Sequence, residues 1–214
     1  MKILIVGDSQ AQGSPGLYAE RKFQALGHTV RRISQQTCGP IDWTSDSAHR
    51  GCATSGLWSR YQDALRSFAP DVVVLIYGSN DSGPGLDDAL SRMKNATSAP
   101  VWMSGPPQYP VAERQALGER IKAVNQRVFG SRWIDAYPHT PLSIPRDSLN
   151  AHLPGEGGRP WGEAIAESVL RGPSPSPSGE PSARAAGASV PAWVYGAGAA
   201  LATLGLVVMW RRRR

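Results

Sequence analysis

The sequence is poor in the residues that build metal and redox centres, with 2 Cys and 4 His among 214 residues. They show no recognisable ligand spacing, so a metal site is not expected. Phosphate-binding patterns are missing too. Gly7, Gly13 and Gly16 follow the first apolar run but do not give the G-x-G-x-x-G of a dinucleotide site, and no Walker motif or internal repeat is present. Positive charge is lacking where a nucleic acid would need it. The net charge is +6, yet residues 1–170 carry 17 basic and 16 acidic side chains. Arg171, Arg184 and Arg211–Arg214 supply the excess against a single Glu180, so no nucleic-acid partner is expected. At the N-terminus the apolar stretch runs only from Ile3 to Val6, far short of an export signal's hydrophobic region.

What is present suits one folded domain followed by a tether. Hydrophobic residues make up 41% and charged residues 19%, enough apolar material for a core. Within residues 1–171, short apolar runs alternate with helical patterns. Strands are expected at Lys2–Val6, Thr29–Ile33, Val72–Tyr77, Val101–Ser104 and Arg132–Ala136. Helices are expected around Leu17–Leu26, Leu57–Phe68, Leu86–Asn95, Val111–Val128 and Trp161–Leu170. The uninterrupted Val72-Val73-Val74-Leu75-Ile76 marks a central parallel strand covered on both faces. The fold class is therefore α/β, a doubly wound flavodoxin-like parallel sheet of about five strands, with ligands at the carboxyl ends of the strands.

Residues 172–191 form a Pro/Ser/Gly/Ala-rich linker. Ala192–Trp210 follows with 19 uncharged residues, which at helical rise cover about 28 Å and predict a transmembrane helix contacting the lipid bilayer. Trp193, Tyr195 and Trp210 lie near its ends, and Arg211–Arg214 form a basic anchor of the cytoplasmic type.

Three blocks stand at positions where chemistry is expected. Gly7-Asp8-Ser9 ends the first strand, Gly78-Ser79-Asn80-Asp81 ends the third, and Asp147 with His152 precedes the last helix. Taken singly, each reads as well as a helix cap, a turn or a surface histidine. Together and in this order they resemble the SGNH (GDSL) hydrolase superfamily over roughly residues 1–170. The resemblance implies a Ser9 nucleophile, a His152 base and an oxyanion hole built from the Ser9 amide, the Asn80 side chain and a glycine amide. Gly39 is the preferred glycine and Gly51 the alternative. The family's acid stands three residues before the histidine, where this chain has Leu149; Asp147, the nearest upstream carboxylate, is the candidate for that role, with a backbone carbonyl orienting the ring as the alternative. Asp135 with His139 forms a competing acid–base pair.

Cys38-Gly39-Pro40 with Cys52 is similar to Cys pairs in SGNH domains attached to cell-envelope acyltransferases, which implies a disulfide closing a fifteen-residue loop. On the residues alone, a bridge and two buried free thiols are equally compatible. The expected function is that of a membrane-tethered serine esterase, acting on short acyl or O-acetyl groups of a carbohydrate or envelope polymer without a cofactor. Acyl transfer through the same acyl-enzyme, or a non-catalytic envelope-binding module, are the alternatives. Signals for topology disagree. The basic end and a Cys38–Cys52 bridge favour an extracytoplasmic domain, whereas a C-terminal span without an upstream signal ordinarily inserts as a tail anchor.

Overall fold

Five runs of aliphatic and β-branched residues pair as parallel strands in a computed structural model that describes residues 1–45, 52, 54–81 and 83–173. The strands are β1 (Lys2–Gly7), β2 (Thr29–Ser34), β3 (Val72–Ile76), β4 (Val101–Ser104) and β5 (Trp133–Ile134). Their order is β2-β1-β3-β4-β5, with Val6 opposite both Ile33 and Leu75. The helices are α1 (Ser9–Gln12), α2 (Ser14–Ala25), α3 (Pro40–Thr44), α4 (Leu57–Phe68), α5 (Leu86–Asn95), α6 (Ala112–Phe129) and α7 (Arg159–Arg171).

Alternation along the strands sorts the core into two layers. Leu4, Val6, Val73, Leu75 and Met103 face Trp43, Tyr61, Leu90 and Ile121, from α3 to α6. Ile3, Ile5, Val74 and Ile76 face Ala11, Phe23, Trp161 and Ile165, from α1, α2 and α7. Every side chain of β3 is buried, as its unbroken apolar run requires. The Trp161 indole N–H donates to Ser104 Oγ at 2.8 Å, so this large buried ring leaves no orphan donor on the sheet.

The structure departs from sequence expectation at three points. The chain after β1 turns helical at Ser9 rather than Leu17, because Asp8 caps α1 and Pro15 opens α2. β5 is shorter than residues 132–136. Asp135 leaves the sheet, and its Oδ1 accepts from the Tyr137 amide at 3.0 Å to start a 3₁₀ turn over Tyr137–His139. The five-residue α3 falls in a stretch expected to be loop. The expected span Ala192–Trp210, its Arg211–Arg214 flank and residues 174–191 of the linker lie outside the described residues. Among the described residues, no helix is long and apolar enough to cross a membrane.

Cys38 and Cys52 form a disulfide with Cα atoms 4.9 Å apart, both buried in the core layer that holds Trp43 and Tyr61. Replacing both by Ser should lower the unfolding free energy by about 3 kcal/mol, the chain-entropy value for a loop of this length. Urea denaturation tests this: an unchanged midpoint would mean that the bridge does not constrain the unfolded chain.

Candidate active site

The site begins where β1 must come very close to β3. A Cβ on Gly7 would lie 1.9 Å from the Ile76 carbonyl oxygen, so only glycine fits there. The next residue, Asp8, is fully buried and accepts three hydrogen bonds. Its Oδ1 takes the Gln10 amide at 2.8 Å, and its Oδ2 takes the Gly78 amide and Asn80 Nδ2, each at 2.8 Å. Burial pushes the Asp8 carboxyl up to about 6, against the lowering effect of the Gln10 and Gly78 amides, the nearby His152 and Asn80. This carboxylate therefore joins the Gly7-Asp8-Ser9 turn to the Gly78-Ser79-Asn80 turn.

Ser9 is the first residue of α1, and its amide has no carbonyl one turn back to receive it. Its Oγ lies 2.8 Å from His152 Nε2, while His152 Nδ1 lies 2.5 Å from Asp147 Oδ2. An ionised Asp147 requires Nδ1 to carry the proton, which leaves the Nε2 lone pair facing Ser9. Asp147 is itself fixed, since its Oδ1 accepts the amides of Ala151 at 2.9 Å and His152 at 3.1 Å. Partial burial raises the Asp147 carboxyl, but the hydrogen bonds from His152 and these two amides overcome that and hold it at about 2.

The five-residue spacing from Asp147 to His152 works through a compact turn. The Asn150 amide donates to the Asp147 carbonyl, the Asp147 amide donates to the His152 carbonyl, and Asn150 takes the left-handed conformation that asparagine tolerates. Leu149, which occupies the position of the family acid, is instead 63% exposed on the lip of the cleft.

Asn80 lines the cleft beside Ser9. One of its two amide hydrogens is held by Asp8, which leaves the second for an oxyanion. Gly39 departs from expectation. Its amide donates to Asp42 Oδ2 at 2.9 Å, half of a capping box that starts α3, and it does not line the cleft. A Cβ there would lie 2.3 Å from Asp81 Oδ2, which also accepts the Ile41 amide, so the glycine serves the approach of Asp81. The wall contributed by this loop is Gln36 and Thr37 instead. Gly51 lies outside the described residues.

The competing pair is not brought to Ser9. Asp135 Oδ2 pairs with Lys122 at 3.1 Å, its Oδ1 is held by Tyr137, and Asp135 and His139 line a different cavity. Cys38, Asp42 and Cys52 converge as potential metal ligands, but the disulfide leaves no thiolate among them. Gln10 was not signalled by any motif. Its Nε2 donates to the Ala151 carbonyl at 2.9 Å, linking α1 to the histidine loop.

Replacing Asn80 by Ala should lower kcat on an ester about 100-fold to 1,000-fold, the usual loss for one oxyanion donor. Asp8 acts through Asn80, and its raised carboxyl gives it a separate signature. The unfolded chain releases this proton near 3.8 and the folded chain near 6, so stability contributed here falls as pH rises from about 4 to about 6. Asp8→Asn should slow turnover and also remove that fall, measured as urea midpoints across the window; a midpoint profile unchanged from wild type would refute the buried carboxyl.

No family model matches the chain, and no curated protein matches it. Solved structures do. A carbohydrate acetylesterase from Sinorhizobium meliloti superposes with a TM-score of 0.58 at 15% identity, over 79% of this chain and 98% of that one. The periplasmic domain of a lipopolysaccharide acetyltransferase from Salmonella ser. Paratyphi A gives a TM-score of 0.59 at 15% identity, over 79% and 83%. An aryl esterase from M. smegmatis gives 0.51 at 18% identity, over 79% and 98%. These likenesses show that the chain has the SGNH/GDSL hydrolase fold.

Proposed function

We propose that this protein is a serine esterase that removes a short acyl group, acetyl foremost, from a hydroxyl of a carbohydrate or cell-envelope polymer. The observation that carries the reading is the row Asp147–His152–Ser9, with contacts of 2.5 and 2.8 Å, beside the Asn80 amide in one cleft. His152 Nε2 takes the Ser9 proton as Oγ attacks the ester carbonyl. The resulting oxyanion is met by the Ser9 amide and Asn80 Nδ2. The protonated imidazole, stabilised by Asp147, then gives its proton to the departing alcohol and leaves an acyl-Ser9. Water, deprotonated by the same imidazole, releases the carboxylic acid and regenerates Ser9.

The acetylesterases among the structural neighbours support an acetyl group and a carbohydrate alcohol. The lipopolysaccharide acetyltransferase domain favours a second reading in which another alcohol, not water, receives the acyl group from Ser9. Both readings share every residue named above. A binding module without catalysis is less well supported, because Asp147 meets the imidazole despite its displaced position.

A fluorophosphonate probe should add one adduct per chain at Ser9, detected by intact mass, and the chain should hydrolyse p-nitrophenyl acetate. Labelling that persists in Ser9→Ala would remove Ser9 as the nucleophile.

The proposal includes a membrane tether at Ala192–Trp210 and a domain on the outer side. The Cys38–Cys52 bridge supports an oxidising compartment, and Arg211–Arg214 support a cytoplasmic end. Protease added to intact spheroplasts should therefore digest the domain, and thiol alkylation should label Cys38 and Cys52 only after reduction. A protected domain with thiols free before reduction would place it inside.

A further inference from the structure

The cleft around Ser9 is far larger than the acyl group assigned to it. Its volume is about 580 Å³, whereas an acetyl group needs roughly the space of two waters, about 60 Å³. Most of it is thus left for the alcohol half of the ester. Gln12, Ser14, Gln36, Thr37 and Ser79 line it, side chains able to donate to and accept from hydroxyl groups.

The charges around the cleft are unbalanced. Asp8 is sealed under its three donors, and Asp147 gives its oxygens to His152 and two amides. Arg114, in the first turn of α6, supplies the other formal charge on the cleft wall. It is half-buried, and no carboxylate among the described residues forms an ion pair with it. Its acidic neighbours on α6 are Glu113, which does not line the cleft, and Glu119, which accepts from Gln115 at 3.0 Å.

A second arginine reinforces the same side. Arg146 donates Nη2–H to the Thr140 carbonyl at 3.0 Å, while its Nε and Nη1 are buried without an acceptor among the described residues. Tyr109, on the cleft wall, feels the positive charge of both Arg114 and Arg146.

We propose that Arg114 selects esters whose alcohol half carries a carboxylate or phosphate, with acylated acidic sugars as the substrate class. The planar guanidinium fork matches either group bidentately, and a half-buried position gives the pairing more weight than it would have in open solvent. The inference rests on the esterase reading and assigns its specificity.

The full chain in detergent should be assayed on mono-O-acetyl methyl glycosides of galactose, galacturonic acid and galactose 6-phosphate. Wild type should favour at least one acidic ester over the neutral one about tenfold or more in kcat/KM, the scale of one charge-assisted hydrogen bond. Arg114→Gln should bring the ratio near one, chiefly through KM, and Arg114→Lys should keep part of it. Arg120→Gln, an exposed position on α6 outside the cleft, should keep the wild-type ratio. The carboxylate and phosphate arms show which oxyanion is taken. A wild-type ratio near one, or an equal loss on all three esters in Arg114→Gln, overturns the proposal. If no ester is turned over, the esterase reading fails, and calorimetric binding by Ser9→Ala decides this one. A preference for acidic glycosides that vanishes with Arg114→Gln upholds it, and no preference overturns it.

Discussion

A buried carboxylate that must stay occupied holds the site together. Asp8 gives up water for three donors, the Gln10 amide in its own turn and the Gly78 amide and Asn80 side chain about 70 residues away, and the last two bonds are lost if the segments separate. Ser9, the proposed nucleophile, follows directly after Asp8, and Asn80, the proposed oxyanion donor, hydrogen-bonds to its Oδ2. Serine and asparagine are thus set by one anchor rather than by two loops that happen to meet. The glycine before Asp8 makes this arrangement reachable, because it lets the first strand touch the backbone of the third.

Much of this was legible in the sequence. Unbroken aliphatic runs announce buried parallel strands, and the blocks at their ends fall on the sheet edge where doubly wound folds bind ligands. Ser9 and Asn80 stand out as candidates because each sits in a short contiguous pattern, and His152 because a helix start follows it. What was not legible depends on three-dimensional closure. The contact of Asp147 with His152 is made through a turn with a left-handed Asn150, which spacing alone does not reveal. Gly39 looked available as a donor, but its amide is consumed by Asp42, three residues later in a helix too short for periodicity to show. Gln10 and Arg114 belong to no motif. Their importance comes from distant partners, the Ala151 carbonyl in one case and the cleft wall in the other.

The two halves of the proposed catalytic row, Ser9 and His152, lie 143 residues apart in sequence. Their alignment depends on the layer in which α7 packs against α2 and buries Trp161, Ile165 and Ala166 against the sheet. The histidine loop is the segment leading into α7, so packing far from the cleft sets the angle at which His152 arrives. Gln10 adds a tie at the near end of that loop.

The bridge between Cys38 and Cys52 spans the connection between the half-sheet that carries Ser9 and the strand that leads to Asn80. It makes that part of the backbone a closed ring. One hydrolysed peptide bond anywhere in residues 39–51 would open the ring without dividing the molecule, since both ends stay covalently attached through sulfur. In a setting rich in proteases, this stretch could thus be nicked once and the chain would remain a single covalent molecule.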